Sequence, residues 1–188
     1  LTGLLRRRLQ QQPEELALVN ELTAEIRRVA QTVTDSLEFV RPMELRRDPV
    51  DPVEVLEESL ARARSRVPID ADIQRNYAET LLPLRADGER LESVLTNLIV
   101  NALQMLPAGG TVTVRTGAAG PGRVAFEVAD DGPGIAPDVL PHIFAPFFSL
   151  RPGGTGLGLA LVQRTVQAHH GKVTVDSATL ANKALEVI

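Results

Sequence analysis

The chain has 188 residues, of which 44% are hydrophobic, with a formal net charge of −4, no cysteine and three histidines. That length suits one or two domains with a real core, and the acidic balance argues against bulk electrostatic capture of nucleic acid. The missing cysteines exclude disulfides, thiolate metal sites and thiol catalysis, and His142, His169 and His170 have no carboxylate at zinc-motif spacing. No apolar run reaches the roughly 20 residues of a membrane helix, and no signal-peptide pattern opens the chain. It starts at Leu1 rather than Met, so we expect a piece cut from a longer protein.

In chain order, residues 1–12 read as a helix, with Arg6-Arg7-Arg8 on a solvated face. Pro13 followed by Glu14 and Glu15 suits a hairpin and a fresh helix start. Leu16, Val19, Leu22, Ile26, Val29, Val33, Leu37 and Val40 then recur at three- and four-residue steps, the pattern of a long amphipathic helix with a coiled-coil-like seam. Two helices of this size make little core alone, and pairing with a second copy as a four-helix bundle would cover the seam. Pro42, Pro49 and Pro52 mark 42–50 as a linker. Asp51-Pro52-Val53-Glu54 offers a carboxylate cap and a proline at the first helical position, predicting a helix to about Arg66.

Alternating patterns predict strands at 73–77, 111–115, 124–128 and 172–176, the second and third joined as a hairpin through a flexible loop at 117–122. Helices are predicted at 88–105 and 157–169. The second domain is then a mixed sheet covered by helices, an α+β sandwich.

Three stretches carry chemistry. On the first of those helices Leu91, Val94, Leu95, Leu98 and Ala102 form a buried stripe, with Asn97 and Asn101 at its edge and Gln104 on the same polar flank. Asn101 can offer an amide oxygen to Mg2+, a hard cation that prefers oxygen donors; semi-buried hydrogen-bonded amides are the plainer reading. Asp130-Asp131-Gly132-Pro133-Gly134-Ile135 follows a strand, and places a carboxylate beside glycines that let a flat ring approach the backbone. A structural turn would use the same residues. Gly154-Thr155-Gly156-Leu157-Gly158-Leu159 opens a helix and exposes amides toward an anion. It fits neither the dinucleotide fingerprint nor the phosphate loop ending in Gly-Lys-Ser/Thr.

In order and spacing these blocks resemble the ATP-binding domain of two-component sensor histidine kinases over 51–176, and the preceding helices resemble that family's dimerisation and phosphotransfer hairpin. The resemblance implies a Bergerat-type α/β sandwich of the GHKL group at 51–188, a helical hairpin at 1–41 and a linker at 42–50. Asn97 and Asn101 fall on the N box, with Asn101 as the Mg2+ ligand and Asn97 catalytic. Asp130, Gly132, Gly134 and Ile135 match the first glycine box, whose Asp binds adenine. Phe144, Phe147 and Phe148 match the F box, and Gly154, Thr155, Gly156, Leu157 and Gly158 the second glycine box. Residues 136–155 would be the lid, pinned to the core by its phenylalanines, with Arg151 placed like a basic residue that contacts the γ-phosphate; a solvated lid charge is the other reading. Pro146, Pro152, Gly153 and Gly154 suggest a lid that orders with nucleotide.

The implied function is the ATP-binding catalytic portion of a protein-histidine kinase, with ATP and Mg2+ as cofactors. Its expected partners are a second copy through the N-terminal helices and a response-regulator receiver domain, in the cytoplasm, with membrane contact only through segments upstream. The family's acceptor histidine is missing, because Leu1-Thr2-Gly3-Leu4 looks like the residues just beyond it. A glycine-rich turn usual before the last strand is also missing from 177–183. Two alternatives remain: a non-enzymatic dimerisation or docking module with a regulatory nucleotide site, and a GHKL-type ATPase. The latter places Glu where Asn97 stands, and an amide is no general base.

Overall fold

The computed structural model describes residues 13–40, 43–151, 154–176 and 182–187. The predicted helix at 1–12, Arg41 and Pro42, Pro152 and Gly153, and the glycine-free stretch at 177–181 lie outside the described residues. Helix α1 (Pro13–Val40) is followed by β1 (Asp48–Val50), α2 (Pro52–Arg66), β2 (Asp72–Tyr77), β3 (Leu84–Ala86) and α3 (Gly88–Met105). Then come β4 (Thr111–Gly120), β5 (Arg123–Asp130), a short 3-10 turn (Leu140–His142), α4 (Gly158–Ala168), β6 (Lys172–Asp176) and β7 (Asn182–Val187).

The main sheet has the order β2-β4-β5-β7-β6, with β2 parallel to β4 and every other pair antiparallel. It is the mixed sheet expected, covered by α2, α3 and α4. Asp51 caps α2 by accepting from the Val53 and Glu54 amides at 2.8 and 3.4 Å, and Asp87 caps α3 through the Arg90 amide at 3.1 Å. Leu56 and Leu60 of α2 meet the Leu91, Leu95 and Leu98 stripe of α3 over Val112, Val114, Phe126 and Val128 of the sheet, all buried. Each such side chain contributes roughly 1.5–3 kcal/mol when fully buried, so this layer fixes where α3 lies.

Two expectations need correction. The linker is not all irregular, because Asp48–Val50 pairs antiparallel with Leu84–Ala86; three residues with two prolines nearby carry too little alternation to announce a strand. The hairpin is also tighter than expected. β4 runs on through Gly117 to Gly120, and the turn is Pro121-Gly122 alone, since cross-strand pairing extends, past a register shift after Ala118, to Gly120 with Arg123. Along α1, Leu18, Leu22, Ile26, Val29, Val33, Leu37 and Val40 are exposed, between 53% and 79%. Leu18 thus joins the seam in place of Leu16 and Val19, which are half-buried. Among the described residues no helix is long and apolar enough to cross a membrane.

Candidate nucleotide site

A cavity of about 710 Å³ opens between α3, the end of β5, the segment 143–151 and the start of α4. That is the size range of small-molecule sites, roughly 300–1,000 Å³. Of the residues singled out in the sequence, Asn97, Asn101 and Gln104 line it from α3, and Asp130, Gly134 and Ile135 from the end of β5. Phe148 and Arg151 line it from the lid, and Gly154, Thr155, Gly156, Leu157 and Gly158 from the α4 entrance. Gly132 and Phe144 do not line it.

Gly132 instead shapes its rim. Its amide donates to Asp130 Oδ1 at 3.1 Å, and a Cβ there would stand 2.7 Å from that oxygen and 3.1 Å from the Met105 carbonyl. Only glycine leaves the carboxylate where it is. Asp130 is 3% exposed yet lines the cavity, so a buried carboxylate stands in its wall. The neighbouring Asp131 has a structural task, accepting from the Thr111 amide at 2.9 Å.

Asn97 and Asn101 are half-buried and one turn apart, their apolar neighbours on α3 held in the core. On the α4 side, Gly156 adopts φ 67, and a Cβ on it would lie 2.3 Å from the Phe147 carbonyl carbon. Gly156 is therefore packed against the Phe147-Phe148 peptide. This explains a departure from expectation: Phe147, itself at φ 66, is turned outward and 68% exposed, and does not pin the lid to the core. Phe148 does face inward, its ring 6.0 Å from that of His142.

Arg151 is half-buried rather than a solvated lid charge. Its Nη1 donates to Gln104 Oε1 and its Nη2 to the Asn101 carbonyl at 3.2 Å, folding the lid onto α3. Burial holds its pKa below the usual guanidinium value. Ser149 Oγ accepts from the Arg151 amide at 3.1 Å and donates to the Arg151 carbonyl at 3.2 Å, which fixes the turn that carries the guanidinium.

The sequence reading missed Ser93 and Met105 on α3, Arg66 at the end of α2 and Thr34 of α1, all of which line the cavity. Ser93 was within reach, since it lies one turn before Asn97 on the same face. Thr34 and Arg66 are brought in by tertiary packing, which leaves no local signal. Ser93 to Met105 spans about 18 Å along the helix axis, long enough to lie beside an extended nucleotide. The donor set also fits a hard cation, with amide and carbonyl oxygens on one wall.

Residues 86–186 match the family model described as histidine kinase-, DNA gyrase B-, and HSP90-like ATPase. Sensor histidine kinase ZraS of Salmonella typhi is 38% identical over 170 residues, covering 87% of this chain and 36% of the relative. The chain thus spans about a third of the length of that curated relative. Among solved structures, full-length ShkA in complex with AMPPNP is 30% identical with a TM-score of 0.78, covering 94% of this chain and 38% of that one. A mycobacterial sensor histidine kinase, MprB, is 32% identical with a TM-score of 0.68 over 76% of this chain and 97% of its own.

Proposed function

The chain belongs to the histidine kinase-, DNA gyrase B- and HSP90-like ATPase family, and from that premise we propose that it is the ATP- and Mg2+-binding catalytic portion of a sensor histidine kinase. The observation that carries this reading is the convergence of Asn101, Asp130 and the glycine-rich entrance of α4 on one cavity. Bound ATP with Mg2+ supplies an activated γ-phosphoryl group for transfer to a histidine ring nitrogen, and from there to an Asp of a response regulator. The buried Asp130 carboxylate accepts the exocyclic amino hydrogens of the purine. Asn101, assisted by Asn97, offers its amide oxygen to the cation. The first amides of α4 and the Arg151 guanidinium lie where they can offset charge on the phosphates, and positioning of this kind supplies most of phosphoryl-transfer catalysis. Gln104 holds Arg151 ready on the same wall.

The domain scheme proposed with it is a dimerisation hairpin at 1–41, a linker at 42–50 and a catalytic domain at 51–188. The exposed seam of α1 supports self-association, since seven large apolar side chains along one face need a cover. A hydrolase reading is weaker because Asn97 cannot deprotonate water.

Isothermal calorimetry with a non-hydrolysable ATP analogue and Mg2+ tests the site. Asn101→Ala should weaken the Mg2+-dependent affinity at least tenfold while leaving the fold intact. An unchanged affinity would contradict the assignment.

A further inference from the structure

His169, at the end of α4, is fully buried and lies outside the nucleotide cavity. Its Nε2 is 3.0 Å from the Asp87 amide nitrogen, and its Nδ1 is 2.9 Å from the Thr165 carbonyl. A backbone N–H only donates and a carbonyl only accepts, so both contacts can form in one way: a neutral ring with the proton on Nδ1. Asp87 is the cap of α3, so the ring joins the far end of the glycine-box helix to the start of the asparagine helix.

The linker arrives at the same spot. The Arg46 amide donates to Asp87 Oδ2 at 3.1 Å, Arg47 Nη2 donates to the Ala168 carbonyl at 3.0 Å, and Arg85 Nη2 donates to the Arg47 carbonyl at 3.2 Å. The β1–β3 pairing ends with Asp48 opposite Ala86, one residue before Asp87. Both walls of the cavity and the segment that descends from α1 are therefore fastened around one buried ring, the linker contacts lying at the surface beside it.

We propose that His169 is a positioning residue for nucleotide binding, holding α3 and α4 at the separation the ligand needs and tying that separation to the linker. This rests on the nucleotide-binding reading above. A protonated ring would turn Nε2 into a donor facing the Asp87 donor, and the clasp would open. Burial pushes the His169 pKa below the ordinary 6.5; the Thr165 bond and Asp87 oppose the shift, while Arg47 and His170 add to it. The titratable and charged side chains acting on the ring are thus Asp87, Arg47 and His170. For a depressed imidazole the neutral ring's contribution is complete above pH about 6.5 and is lost as pH falls through the lowered value.

The test is calorimetry on the whole chain with Mg2+ and a non-hydrolysable ATP analogue at pH 7.5, with folding checked by circular dichroism. His169→Gln keeps an acceptor for the Asp87 amide and does not titrate; its affinity at pH 7.5 should be within twofold of the parent. His169→Leu should bind at least tenfold more weakly. The exposed Arg47→Met should weaken binding at least threefold with the fold intact, and decides the matter if the His169 variants do not fold. A folded His169→Leu with parental affinity, a folded His169→Gln that binds as weakly as His169→Leu, or an unaffected Arg47→Met would overturn the proposal. If the parent binds no analogue at pH 7.5, the nucleotide-binding reading itself fails and this inference with it.

Discussion

In α3, Leu91, Leu95 and Leu98 are at most 1% exposed, whereas in α1 Leu22, Ile26 and Leu37 are more than 60% exposed, although both helices repeat apolar residues every three or four positions. Periodicity specifies that a face must be covered. What covers it depends on neighbours. Helix α3 lies between α2 and the sheet, bounded by short connections at Asp87 and after Met105, and its stripe has no choice of partner. Helix α1 touches the remainder through its last turns, where Thr34 reaches the cavity and Arg164 lies 5.5 Å from the Phe39 ring centroid. Its seam faces the other way.

This contrast can be broken at either helix. Leu95→Ala, at the centre of the buried stripe, should cost about 2–5 kcal/mol, read as a fall in the denaturant midpoint and in Tm; a loss below about 1 kcal/mol would mean that the α2–α3 layer is not the core it looks to be. Ile26→Asp on α1 should do the opposite, altering the nucleotide domain's stability by no more than about 0.5 kcal/mol while converting a dimer to a monomer in sedimentation velocity. A monomeric parent, or a variant that still dimerises, would show that the seam is covered by something else. The smallest effect concerns neither stripe. His170 sits just past α4 with φ 60, a left-handed conformation costly for a residue with a Cβ, so His170→Gly should raise stability by about 0.5–1 kcal/mol, measurable in chemical unfolding. A loss of stability would mean that the imidazole makes a contribution larger than its backbone strain.

Much of the architecture was legible because local chemistry and burial agree. Asp51-Pro52 caps its helix, and the period of α3 and the alternation of β4 and β5 match the faces that are buried. The short β1–β3 pair was not legible, because three-residue strands stabilised by a partner 36 positions away carry almost no pattern of their own. In the site, the asparagines, Asp130 and the α4 entrance stand out because each is awkward where it lies: amides beside an apolar stripe, an acid at a strand end, glycines opening a helix. Thr34, Arg66 and the His169 junction are ordinary in sequence. Their placement depends on which elements meet, and nothing adjacent to them reports that. Phe147 was misread for the same reason, since its outward turn follows from Gly156, nine residues along, occupying the space behind its peptide.

The order of strands in the sheet has a consequence for how the molecule is assembled. β7 follows β6 in the chain but lies between β5 and β6, so β6 has no hydrogen-bonded neighbour until residues 182–187 are in position. Helix α4 rests on β6 and β7. During synthesis the glycine-rich entrance of α4 would therefore lack its support until these residues leave the ribosome, and long-range pairings such as that of β5 with β7 are slow to form. Maturation of the pocket thus waits on a stretch of backbone that is not among the residues lining it.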